Sequence, residues 1–130
     1  MVNKINVLGT NYTIKKKKYS EEEAFDRNGI DGYCDGMTKL IVYCDMDTYK
    51  GWEHESDENK RANERHTLRH EIVHAFFNES GLMASSHRFD GAFSTDEELV
   101  DWIAIQGEKI YLAWEKVGCL EKQAREQAHI

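Results

Sequence analysis

Thr67-Leu68-Arg69-His70-Glu71-Ile72-Val73-His74-Ala75-Phe76 is the stretch on which the reading of this chain turns. Leu68, Ile72, Val73, Phe76 and then Phe77 recur at three- and four-residue spacing, the period of a helix with one apolar face. The pattern predicts a helix over residues 57–80, highly charged at first and apolar later, with Gly81 placed to stop it. Residues four apart on a helix lie one turn above each other, so His70 and His74 can aim two imidazoles at one ion from one face. Glu71 follows about 100° around from His70, where a carboxylate can stand near an open coordination position and take a proton from water without ligating the metal. H-E-x-x-H on a helix therefore points to a zinc site with Glu71 as general base.

A catalytic zinc needs a third protein ligand and leaves a fourth position for water. A glycine and a histidine at the next three-residue steps would mark one large class of zinc peptidases, but Phe77 and Ser80 stand there instead, which excludes it. Downstream of the loop over residues 84–94 the pattern predicts a second helix, with Leu99, Ile103, Ile110, Ala113 and Val117 as its apolar positions and Trp102 and Trp114 widening that face. Glu97 at its start is the preferred third ligand, and Asp101, four residues on and sharing its face, is placed to accept the free ring N–H of a ligating histidine. Glu98 and His87 are the alternatives. Thr95 and Glu98 also form a capping box, so a plain helix start accounts for part of the same acidic run. His54, His66 and His129 have no comparable case as ligands.

Working back toward the amino terminus, residues 5–8 and 12–14 predict one hairpin turning on Gly9-Thr10-Asn11, and residues 33–35 and 40–44 a second turning at Gly36. Between them, residues 20–25 predict a short helix with Ser20 as cap and Glu23 completing a capping box. Lys15-Lys16-Lys17-Lys18 reads as a solvated strand, or an edge strand guarded by lysine. The expected fold class is α+β: short antiparallel strands and hairpins packed on two long helices that carry the metal site.

With 130 residues, no proline, no internal repeat and no low-complexity linker, residues 1–130 read as one domain, the tail after Cys119 being dispensable to it. A net charge of −7 argues against nucleic acid as a partner, since such surfaces are cationic. Cys34, Cys44 and Cys119 make an odd count without C-x-x-C spacing, which reads as reduced thiols rather than a disulfide framework. No apolar run suits a signal peptide or a membrane span, and the expected compartment is the cytoplasm.

His70-Glu71-Ile72-Val73-His74 followed by Glu97-Glu98-Leu99-Val100-Asp101 resembles the gluzincin type of zinc peptidase, in which H-E-x-x-H precedes E-x-x-x-D on a second helix. Together with Glu79-Ser80-Gly81-Leu82 and Trp102-Ile103-Ala104, these residues look like the compact ImmA/IrrE-like metallopeptidases and small phage and prophage relatives, over residues 30–115. The resemblance implies a zincin-like fold with strands lining a cleft beside the metal helix. It leaves no room here for the extra DNA-binding or sensor domain that several members carry. SprT-like peptidases are a competing resemblance, for which His87 would have to be the third ligand.

The expected activity is zinc-dependent hydrolysis of a peptide bond in a protein or peptide substrate, with the substrate strand pairing to an exposed edge within residues 40–44. Tyr33, Tyr43, His66 and His87 are the candidates for stabilising the oxyanion, with nothing to select among them. The rivals are a non-catalytic module braced by zinc and a phage-encoded inhibitor of a host protein. Structural zinc, however, takes four protein ligands.

Overall fold

The computed structural model describes residues 3–81 and 97–121, with the backbone alone for Glu97, Glu98, Val100, Asp101 and Ala104. Its elements in chain order are β1 (Lys4–Val7), β2 (Thr10–Lys17), α1 (Glu23–Asn28), β3 (Gly32–Asp35), β4 (Leu40–Cys44), α2 (Asp57–Glu79) and α3 (Glu97–Val117). The chain is a small α+β fold built on one sheet.

That sheet runs β1-β2-β4-β3 and is mixed. β1–β2 and β3–β4 are the two expected antiparallel hairpins, but β2 and β4 pair in parallel, Thr13 beside Leu40 and Lys17 beside Cys44. An all-antiparallel set of strands is thus corrected. Parallel neighbours need a long connection between them. Residues 18–39 supply it by passing through a 3-10 turn at Tyr19–Glu21, α1 and β3 before β4 slots between β2 and β3.

The first hairpin turns on Leu8 and Gly9, at φ 52° and 95°, one position earlier than expected. Two successive positive φ values suit a two-residue turn whose twist matches the strands. In the second hairpin the left-handed residue is Lys39, at φ 57°, not Gly36. Gly36 is small for another reason: a Cβ there would stand 2.7 Å from the Asn78 amide nitrogen. The cap of α1 is Glu22, whose carboxylate accepts from the Ala24 N–H, rather than Ser20.

Strand alternation divides the core between two faces. Ile41 and Tyr43 of β4 join Ile5, Val7, Tyr12 and Ile14 beneath α2 and α3, against Leu68, Ile72, Phe76, Ile110 and Val117. Val42 and Cys44 point the other way and pack with Phe25, Met46, Tyr33 and Trp52. On α3, Ile110, Ala113 and Val117 are buried as expected, but Ile103 is 55% exposed. The neighbouring Trp102 takes the inward position and packs against the core, which turns Ile103 about 100° away from it.

β2 carries Lys15, Lys16 and Lys17, and beyond Ile14, whose N–H still donates to the Asn3 carbonyl at 2.7 Å, its partner among the described residues is β4. Lys16 reaches Glu64 of α2 at 3.1 Å, and Lys17 reaches Glu22 at 3.3 Å. Cys34, Cys44 and Cys119 are free thiols. Among the described residues no helix is long and apolar enough to cross a membrane.

At the far end of α2, the Glu79 carboxylate accepts from the buried Tyr12 hydroxyl at 2.7 Å and from Lys39 Nζ at 2.8 Å. The Lys39 and Tyr12 bonds hold its pKa below the usual carboxylate value. A depressed acid stabilises the fold above the unfolded-state pKa, and that stability is lost as pH falls through the folded-state pKa. Glu79→Gln is therefore expected to cost roughly 1–3 kcal/mol at pH 7 and progressively less toward acid. Urea unfolding of both proteins between pH 3 and pH 7 measures the gap.

Candidate metal centre

α2 starts where Ser56 accepts the Asn59 N–H at 3.1 Å, and Asp57 and Glu58 favour its positive end. Its buried residues are Glu64, Thr67, Leu68, Glu71, Ile72, Ala75 and Phe76, recurring at three and four. Glu71 belongs to that inward stripe and is only 7% exposed, whereas His70, one step around, is exposed and His74 is partly buried. Apolar anchors on both sides fix the azimuth of the helix, and so fix which way the three polar side chains point.

One candidate ligand atom from each of His70, Glu71 and His74 lies within 4.8 Å of the others. The two Nε2 atoms stand 3.2 Å apart, with the rings inclined at 67°. Two nitrogens each about 2.0–2.1 Å from a zinc ion at a tetrahedral angle would be about 3.3–3.4 Å apart. The spacing of the two nitrogens is compatible with a zinc ion between them, and equally with one ring donating an N–H to the other.

The protonation states favour the same use. Burial, and then the nearby His70 ring, lowers the pKa of His74, which keeps it in the neutral form that ligates metal. Burial pushes the Glu71 carboxyl up to about 7, and the charge of Asp31 adds to the shift. Among the described residues, no hydrogen bond is made to the Glu71 carboxylate.

Gly32 explains how β3 comes so close. A Cβ at this position would collide with Thr67 Cγ2 and would stand 3.0 Å from the Val42 carbonyl oxygen and 3.5 Å from Glu71 Oε2. The strand lies against α2 because nothing projects from it there. Gly32→Ala is expected to destabilise the fold by roughly 1–3 kcal/mol. Thr67→Ser, which deletes the obstructing methyl, should recover much of that loss in the double variant. Chemical unfolding of the four proteins of the cycle tests the coupling.

α3 runs antiparallel to α2: the Trp102 indole donates to Ser80 Oγ at 2.9 Å and meets Phe77 edge-on at 4.8 Å, while Trp114 donates to the Arg69 carbonyl. The start of α3 thus lies toward the carboxyl end of α2, with Trp102 level with Ser80, six residues past His74. Glu97 and Asp101 fall on this first part of α3, and their side chains, like that of Glu98, lie outside those described. His87 is outside the described residues altogether.

The candidates for oxyanion stabilisation separate clearly. The Tyr33 hydroxyl donates to Glu22 at 2.7 Å, and its ring packs on the sheet face away from α2. Tyr43 is buried in the core beneath the helices. Neither is available to a substrate at the metal centre. His66 lines the same cleft as His70 and Glu71. That cleft also contains Asp31, Asn63 and Thr67, which nothing in the sequence marked: Gly29-Ile30-Asp31-Gly32 read only as a connection before a hairpin.

The edge strand is also corrected. Leu40–Cys44 is β4, paired on both sides, so it offers no free edge, whereas β3 ends the sheet. No protein-family model matches the chain, and no curated protein or solved structure matches it.

Proposed function

We propose that the chain is a zinc-dependent peptidase of zincin-like fold, in the gluzincin style of the ImmA/IrrE-like proteins and their phage relatives, acting in the cytoplasm. The observation that carries this reading is the pair of imidazole nitrogens 3.2 Å apart, with a buried carboxylate one residue along the same helix that has no hydrogen bond among the described residues. His70 and His74 hold the ion, Glu97 completes the protein ligands, and Asp101 orients a ligating ring. Glu98 and His87 are the alternatives for the third position.

When bound, zinc supplies the Lewis acidity that makes water nucleophilic near neutral pH and polarises the scissile carbonyl. Glu71 takes the proton from the attacking water and returns it to the leaving amine, a task suited to a carboxyl whose basicity has been raised by burial. The substrate chain aligns along β3. The Asp31 carbonyl accepts from the Cys44 N–H at 2.8 Å, so by strand alternation Gly32 and Cys34 turn their own N–H and C=O groups to the open edge.

The reading is tested by incubating the zinc-loaded chain with a proteome-derived peptide library and detecting new termini by mass spectrometry. Cleavage should disappear on chelation and return when zinc is restored. Cleavage indifferent to the chelator, or none across the library, would remove the peptidase assignment. Zinc binding without any cleavage would favour a braced binding module instead.

A further inference from the structure

A cleft of about 400 Å³ runs along α2 from Asn63 and His66 to His70 and Glu71, walled on its other side by Asp31 and Gly32. Asp31 is fixed there: Asn63 Nδ2 donates to its Oδ2 at 2.7 Å and Thr67 Oγ1 to the same oxygen at 3.3 Å. Those two donors are neutral. Three other carboxylates on or against α2 sit beside a cation, Glu64 with Lys16 and Arg61, Glu79 with Lys39, Glu121 with Arg65 and Arg69. Among the described residues Asp31 has no such ion pair, and neither lysine nor arginine lines the cleft it faces.

A carboxylate held by two neutral donors, with no counter-charge among the described residues and in a cleft of ligand size, is an arrangement that a cationic ligand completes. Thr67, which bonds Asp31, lies one helical turn before Glu71, so the charge sits about 5–6 Å along α2 from the reacting groups. We infer that Asp31 determines specificity by receiving a positively charged nitrogen of the substrate beside the scissile bond. The nitrogen is either a lysine or arginine side chain or the free amino terminus of a peptide. The inference rests on the peptidase reading for its meaning, although the binding it requires is independent of turnover.

Three small amides separate the cases in the full chain with zinc present: acetyl-arginine amide carries only a side-chain cation, leucine amide only a terminal ammonium, and acetyl-norleucine amide neither. Affinities by titration calorimetry, with amide shifts at Gly32 and Asn63 to locate the site, should show about a tenfold preference for one of the cationic probes. Asp31→Asn should bring that preference close to unity. The probe that carries it identifies which nitrogen is recognised. In the wild type alone, raising salt from 0.05 to 0.5 M should shrink the preference, which keeps the test valid if the variant folds poorly. Equal or undetectable binding of all three probes, or a preference that survives Asp31→Asn in a folded protein, would overturn the inference. Absence of peptide cleavage beside an intact Asp31-dependent preference would instead count against the peptidase reading.

Discussion

Glu71→Gln should reduce peptide cleavage by roughly 10²–10⁴-fold while leaving the zinc content unchanged. Glutamine keeps the shape and burial of the side chain but cannot accept the proton of the attacking water. The ligand atoms on His70 and His74 are untouched, so metal analysis and turnover should part company in this variant. In the metal-free chain the same change should act on stability. A folded-state pKa of about 7, set by burial and then by Asp31, means that the folded carboxyl binds its proton more tightly than the unfolded one. Stability is then fully present below the unfolded-state value and falls as pH rises to about 7. At pH 8 the chelated Glu71→Gln protein should therefore be more stable than wild type by roughly 1–3 kcal/mol, a difference that closes below pH 5. Loss of cleavage accompanied by loss of zinc, or wild-type turnover in the variant, would remove Glu71 from the chemistry.

The second large effect concerns the metal. His70→Ala or His74→Ala should each weaken zinc binding at least about 100-fold, measured by competition with a chromophoric chelator, because a two-point chelate on one helix becomes a single ligand. Fold stability should respond differently at the two positions. His70 is exposed and should be replaceable at little cost, whereas His74 is partly buried and packs edge-on against Phe77 at 6.1 Å. Thermal unfolding of the chelated variants separates loss of ligand from loss of structure. An unaltered zinc affinity in both variants would place the ion elsewhere.

What could be read from the sequence was mostly local. The span of α2 up to its end before Gly81 follows from a 3.6-residue period and a stop glycine, and both hairpins follow from short β-branched runs around turn residues. Juxtaposition of His70, Glu71 and His74 follows from helical geometry alone. What could not be read depends on contacts distant in sequence. Nothing local distinguishes β4 as an interior strand, because its pairing with β2 is decided by a connection that places α1 and β3 between them. For the same reason the open edge was expected on the wrong strand of the second hairpin. Ile103 and Trp102 compete for one inward direction on α3, and the periodic pattern alone does not say that the indole takes it. Asp31 is the clearest case: it becomes part of a cleft only because Gly32 allows the strand to lie against Thr67 and Glu71, a steric fact invisible until helix and strand are packed.

The central claim is that His70 and His74 together grip one divalent ion. X-ray absorption at the zinc edge of the reconstituted chain bears on it most directly. The account predicts one zinc per chain in a four-coordinate environment, two imidazole nitrogens at about 2.0–2.1 Å with oxygen completing the set, and loss of the imidazole scattering in the two alanine variants. A zinc ion surrounded by oxygen or sulfur alone, or an imidazole signal unchanged when both histidines are gone, would contradict it.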